Sequence, residues 1–212
     1  MDNSLSYCDE RKNRMGQDAG KYYTVAGMQF EKDRHYTVSD YLELIPAHSG
    51  VELINGIFYD LYPETAGSKG FPSLRHQRIV TELARRIGNH IAENQGEYEV
   101  YVSGTGVQLS EDDTFLIPDI FVVCDKTKLE YFGCKGAPDW VIEVVSPSNP
   151  GNDYLRKLNL YIPAGVREYW IIDPEKEKVT VYDPGLVPKV YSFEDKIPTG
   201  IYENYFVELS GL

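Results

Sequence analysis

Apolar residues recur every four positions through "SLRHQRIVTELARRIGNHIAENQG", at Ile79, Leu83, Ile87 and Ile91. That spacing draws one stripe along a helix, and Ser73 stands where its side chain can cap the first turn. A shorter helix is expected in "YTVSDYLELIPAH". Thr37 or Ser39 caps it, Tyr41, Leu42 and Ile45 share a face, and Pro46 ends it. A third, "NDYLRKLNLYIPAG", starts at Asn152 or Asp153 and stops near Pro163 and Gly165.

The remaining apolar segments are short and strand-like. "VELINGIFYDLYP" reads as two strands about Asn55-Gly56, the strongest local hairpin signal. "YEVYVSG", "GVQLS", "FLIPDIFVVC" and "PDWVIEVVS" follow one another with Gly, Asp or Ser breaks, and "VREYWIID" and "KVTVYD" come after the third helix. Residues 1–34 are polar and aperiodic, which predicts a loosely ordered lead-in. Residues 35–212 are expected to form a single domain of α/β (α+β mixed) class, a central mixed sheet flanked by helices. No internal repeat or linker divides it.

Charge and composition narrow the class. The 212 residues carry 21 basic and 33 acidic side chains, a net charge of −12, which argues against a protein that coats nucleic acid with its whole surface. Hydrophobic residues at 42% and 17 tyrosines exclude a disordered chain. The three cysteines, Cys8, Cys124 and Cys134, show neither C-x-x-C nor Cys/His spacing, as in a reducing cytosol. No leader-like apolar region opens the chain, and no apolar run approaches the roughly 20 residues of a membrane span. A cytoplasmic protein with no membrane partner is expected.

One residue stands against its surroundings. Glu143 sits in the apolar run Trp140 to Val145, where an unpaired carboxylate is costly. Asp119, in "IPDIFVV", lies 24 residues earlier, also at the edge of an apolar run. Adjacent strands could bring the two carboxylates together, and a bound Mg²⁺ would relieve their repulsion. Pairing of Glu143 with a buried Arg or Lys is the alternative.

The ordered set "VELINGIFYDL", "SLRHQ", "IPDIFVVCD", "GAPDWVIEVVSPSN", Asp153-x-x-x-Lys157 and "YIPAGVREYWIID" resembles a bacterial restriction-endonuclease-like domain family of uncharacterised function. That family lies within the PD-(D/E)XK nuclease superfamily, and the likeness spans roughly residues 36–183. The resemblance implies a restriction endonuclease-like fold and metal-dependent hydrolysis of DNA phosphodiester bonds, with Mg²⁺, or Mn²⁺ in its place, as cofactor. It implies that Asp119, Glu143 and the backbone carbonyl of Val144 bind the metal. Glu52 would hold a second metal or a metal-bound water. The superfamily's usual lysine would stand at position 145, where this chain has Val145. Lys157 on the following helix matches the displaced position, and its charge would stabilise the transition state. On its residues alone, Lys157 also reads as a solvated partner of Asp153.

Other features are given lesser roles. Arg75, Arg78, Arg85 and Arg86 read as the solvated face of the long helix, or as a track for a phosphate backbone. His76 reads as a structural histidine that could face the site. Ser146 and Ser148 lack a G-x-S-x-G elbow and read as turn and cap residues. Two further functions compete with the nuclease: a non-catalytic DNA- or protein-binding module that keeps the fold, and a two-carboxylate glycosidase without metal. A homodimer is expected, since two active sites suit double-strand cutting.

Overall fold

The computed structural model describes residues 20–63, 71–146, 152–185 and 187–212. Ser148, Cys8 and the loop "GSKG" at 67–70 lie outside them, as do the side chains of Asn152 and Asp153, the proposed caps of the third helix. Residues 20–34, expected to be loose, instead form a hairpin of β1 (Tyr22–Val25) and β2 (Met28–Glu31). Ala26 and Gly27 turn it with φ of 47° and 79°, and Val25 and Phe30 are buried against Tyr36 and Phe58. The alternation that drives this is brief and embedded in charged residues. Residues 1–19 lie outside the described chain.

Thr37 caps helix α1 (Val38–Leu44) through a reciprocal capping box with Asp40. Tyr41 and Ile45 pack inward as expected. Leu42 does not: it is 39% exposed, because the buried stripe of this two-turn helix narrows to Val38, Tyr41 and Ile45. The Asn55-Gly56 turn joins β3 (Val51–Ile54) to β4 (Ile57–Asp60), with φ of 49° and 74° as a two-residue hairpin requires. A Cβ at Gly56 would also lie 2.3 Å from the His35 ring. Helix α2 (Leu74–Glu93) begins at Ser73, whose hydroxyl accepts from the His76 amide, and it buries Ile79, Leu83, Ile87 and Ile91.

The strands are distributed over two six-stranded mixed sheets. One contains β3, β4, β6 (Gly106–Gln108), β7 (Phe115–Leu116), β9 (Leu129–Glu130) and β10 (Gly133–Lys135). The other runs in the order β14 (Lys189–Ser192), β13 (Lys178–Tyr182), β12 (Glu168–Asp173), β11 (Trp140–Val144), β8 (Ile120–Val123), β5 (Glu99–Val102). Here β11 and β12 are parallel, and helix α3 (Asn152–Ala164) makes the crossover that parallel neighbours need.

Period-two alternation sorts this second sheet. Ile120, Val122, Trp140, Ile142, Val144, Trp170 and Ile172 share one face with the apolar stripe of α2. Phe121, Val123, Val141 and Tyr169 take the other face, where Leu158 and Tyr161 of α3 cover them and Ile54 of the first sheet joins the same cluster. Glu143, two residues after Val141, belongs to that second face.

The segment "FLIPDIFVVC", read as one strand, is two. Pro118 has no N–H for a ladder, and the chain passes there from β7 in the first sheet to β8 in the second. Asp119 therefore sits at the crossing between the sheets. The arginines of α2 are neither free nor simply solvated. Arg85 and Arg86 clamp Glu82, and Arg75, Arg78 and Arg86 donate to the carbonyls of Leu212, Gly211 and Glu208. They tie the C-terminal segment, which buries Ile201, Val207 and Leu209, across the helix. Among the described residues no helix is long and apolar enough to cross a membrane.

Candidate active site

Four elements converge where the two sheets meet. Glu52 comes from β3, Asp119 from the crossing before β8, Glu143 from β11 and Lys157 from α3. Because Ile142 pairs with Ile120 in an antiparallel ladder, Asp119 stands opposite Glu143, one residue further along. The Val144 amide donates to Asp119 Oδ2 at 2.8 Å, which locks that carboxylate to the strand end. Asp119, Glu143, Val144 and Lys157 are thus brought together, and Glu52 joins them from the other sheet.

Lys157 is fully buried, so its reading as a solvated partner of Asp153 is set aside. Its Nζ lies 2.9 Å from Glu52 Oε1 and 3.1 Å from Glu143 Oε1. Tyr154 and Tyr161, three residues before and four after it on the helix, are both buried beside it. The Tyr161 hydroxyl donates to Glu143 Oε1 at 3.4 Å, and the Tyr154 hydroxyl donates to the Val144 carbonyl at 3.3 Å. Glu52 Oε1 also accepts the Ile117 amide at 2.8 Å, so the lysine is bracketed by an anchored carboxylate.

This crowding acts on protonation. Burial pushes the Glu143 carboxyl up to about 8; Lys157 opposes the shift, and the charges of Asp119 and Glu52 add to it. Burial and the Glu143 charge also raise the Tyr161 and Tyr154 hydroxyls.

His76 is the residue whose place the sequence reading undervalued. It is buried at the first turn of α2, and its Nε2 lies 3.2 Å from Asp119 Oδ2. Its Nδ1 is buried with no hydrogen-bond partner among the described residues, which suits the tautomer that donates from Nε2. The signal was available: position 76 lies three residues before Ile79 and seven before Leu83, on the buried stripe. Partners of this kind fix the orientation of a metal ligand, and their loss weakens metal binding by about 10–100-fold. If Asp119 holds Mg²⁺, His76→Leu should weaken that binding by that factor, and His76→Gln, which keeps a donor, should weaken it less. Magnesium titration by calorimetry checks this; equal affinity in wild type and His76→Leu would show that His76 does not support the ligand.

Among the described residues no group of three or more His, Cys, Asp or Glu side chains gathers in a metal-holding arrangement. The hard-oxygen set is a carboxylate pair and a backbone carbonyl: Asp119, Glu143 and Val144. Asp119 accepts its hydrogen bonds at Oδ2 and Glu143 at Oε1, which leaves Oδ1 and Oε2 without a hydrogen bond among the described residues. A buried and a half-buried carboxylate that repel each other, with an oxygen each to spare, fit a small hard dication that keeps water in its other positions.

A groove of about 500 Å³ adjoins the cluster. Tyr62, Ser103 and Ile117 line it. Ile117 is the residue whose amide holds Glu52, and the Ser103 amide donates to the Asp119 carbonyl at 2.9 Å. Burial raises the Tyr62 phenol, a hydrogen bond with Ser103 lowers it, and Asp119 and Glu52 raise it again, so its ring lies within the field of the acidic cluster.

Residues 38–200 match the model of the Uma2 family, described as "Putative restriction endonuclease", and the chain belongs to that family. It is 30% identical over 105 residues to the uncharacterised protein sll1609 of Synechocystis, covering 48% of this chain and 58% of that relative's length. Its fold is similar to the crystal structure of a putative nuclease belonging to DUF820 from Anabaena variabilis. The TM-score is 0.65 at 22% identity, over 82% of this chain and 94% of that one. The expected mixed α/β nuclease-like fold is present.

Proposed function

We propose that this protein is a metal-dependent nuclease that hydrolyses phosphodiester bonds in DNA. The observation that carries the reading is the buried lysine: Lys157 bridges Glu52 and Glu143, and Asp119 stands opposite Glu143 on the neighbouring strand. Asp119, Glu143 and the Val144 carbonyl would hold Mg²⁺ or Mn²⁺, and the ion, when bound, would polarise the phosphate and ease deprotonation of a water. Glu52 holds Lys157 in place, so the ammonium can face the phosphate as negative charge builds there. His76 and the Val144 amide orient Asp119.

The test is hydrolysis of supercoiled plasmid and of single-stranded DNA by the purified protein with Mg²⁺ or Mn²⁺. Cleavage is expected with the ion and not with chelator, and Asp119→Asn should remove it. Cleavage at the wild-type rate by Asp119→Asn, or no hydrolysis of any DNA, would overturn the reading.

A non-catalytic module is the second reading, and one observation favours it. Lys157 neutralises Glu52 and Glu143 internally, so the cluster has a stable partner without any ion. On that reading Mg²⁺ would neither bind nor stabilise the protein.

A further inference from the structure

The groove beside the cluster has a composition of its own. Tyr41, Phe115, Phe132 and Tyr131 form a continuous aromatic run along it. Tyr41 stacks on Phe115 at 4.3 Å, Phe115 meets Phe132 at 5.4 Å, and Phe132 meets Tyr131 edge-on at 5.3 Å. Tyr131 is 87% exposed, a large ring left uncovered at the outer end. Tyr62, 39% exposed, stands at the inner end beside the acidic cluster. Two glycines shape the walls. A Cβ at Gly106 would lie 2.1 Å from the Phe115 ring, and one at Gly50 would lie 2.6 Å from the Tyr62 ring. Both rings therefore lie against bare backbone.

No lysine, arginine, aspartate or glutamate lines this groove among the described residues. Among the described residues, His48 is the one basic side chain that a phosphate would meet here. The arginines of α2, the most basic stretch of an acidic chain, are engaged with Glu82, Glu177 and the C-terminal carbonyls. Duplex binding draws most of its affinity from phosphate neutralisation, for which the groove's described lining has His48 and no lysine or arginine. Aromatic platforms take the faces of unstacked bases instead, whatever the sequence. The volume also falls in the range of about 300–1,000 Å³ typical of small-ligand clefts.

We infer that this groove receives unstacked nucleobases of a single-stranded segment, one on Tyr131 at the outer end and one on Tyr62 at the inner end, and so delivers the adjoining phosphate to the Asp119–Glu143–Lys157 cluster. The inference rests on the nuclease reading of that cluster and names its substrate class: single-stranded, frayed or flapped DNA in preference to intact duplex. The occupant is neutral and aromatic where it lies in the groove, matching a lining that is mostly aromatic and aliphatic. Its charged backbone continues toward the one buried ammonium. An intact duplex would first have to unstack a base, which disfavours it by that cost.

The experiment uses the full chain with Ca²⁺ in place of Mg²⁺ to hold off cleavage, and a short oligodeoxynucleotide carrying fluorescein and one 2-aminopurine. Anisotropy should show tighter binding of the single strand than of the blunt duplex of the same sequence. The 2-aminopurine emission should fall on binding, as stacking requires. Tyr131→Ala, at an exposed position where folding is not at stake, should raise the single-strand Kd about fivefold or more, since one stacked base contributes about 1–3 kcal/mol. Tyr62→Leu should do the same and restore the emission. Unchanged Kd in both variants, tighter binding of the duplex, or no binding of either DNA would overturn the inference. Two outcomes separate it from the reading it rests on. Magnesium-dependent cleavage at the wild-type rate by both groove variants would sink the groove and leave the nuclease. Groove-dependent binding without hydrolysis in Mg²⁺ would sink the nuclease and leave the groove.

Discussion

Lys157→Met is expected to lower the unfolding free energy by about 3–5 kcal/mol, because it strips the ammonium from the buried Glu52 carboxylate and removes a hydrogen-bond donor to Glu143. Glu52 and Glu143 are 1% and 4% exposed, so water cannot replace the ammonium. Against a typical total of about 5–15 kcal/mol, a loss of that size is severe. The cause can be isolated. Adding Glu52→Gln removes the orphaned charge, so the double variant should recover part of the loss. Urea denaturation of wild type, Lys157→Met and the double variant measures this. A midpoint for Lys157→Met equal to wild type would mean that the ammonium is not the partner that makes the carboxylates tolerable. On the nuclease reading, cleavage should also fall about a hundredfold or more, the loss seen when a transition-state donor is removed. Magnesium binding should persist, because the lysine does not hold the ion.

Much of this arrangement could be read in the chain. The four-residue spacing of Ile79, Leu83, Ile87 and Ile91 drew α2 and its buried face, and Asn55-Gly56 located the hairpin that carries Glu52. Both signals are local, since a helical stripe and a two-residue turn are written within a few residues of themselves. Glu143 was visible as a carboxylate in an apolar strand. Its partner was not visible from the same strand, because Lys157 arrives from a helix that the sequence places elsewhere. The family resemblance suggested it. The stripe of α3 would also have suggested it: Tyr154, Leu158 and Tyr161 are buried, and Lys157 shares their face.

What stayed hidden depended on contacts between distant segments. The break at Pro118 divides an unbroken apolar run between two sheets, and alternation cannot say which sheet receives each half. The arginines of α2 look like a solvated stripe until the C-terminal segment folds across them. The hairpin at residues 20–34 needs the pocket formed by Tyr36 and Phe58 before its few apolar residues have anything to pack on. Val145, where the resemblance would place a lysine, follows Glu143 by two residues and lies just past the end of β11. A lysine there and one at position 157 would approach the same carboxylate from different directions, which is how the charge can move between elements without leaving the site.

Glu143→Gln should separate proton, metal and lysine at that carboxylate. In the metal-free protein the Glu143 carboxyl is raised from an ordinary 4.5 to about 8. Above pH 4.5 the unfolded chain releases a proton that the folded protein keeps until about pH 8. Stability therefore declines as pH rises through that window, since the folded state binds more protons there. Glutamine resembles the protonated acid in shape and cannot ionise. The variant should match wild type near pH 5, exceed it near pH 9, and lose this part of the pH dependence. Magnesium acts in the opposite sense on the wild type. It favours the ionised carboxylate, so its stabilising effect should grow from pH 6 to pH 9. At a hundred times its Kd, an ion that binds only the folded chain contributes about 2.7 kcal/mol, or about 5–10 °C in Tm for a protein of this size. Glu143→Gln should show almost none of that rise and no cleavage. Thermal melts across pH, with and without Mg²⁺, read both effects together. If the ion raises the Tm of the variant as much as that of wild type, the metal lies elsewhere. Glu143 would then be buried for Lys157 alone, and the cluster would be a structural tie between the two sheets.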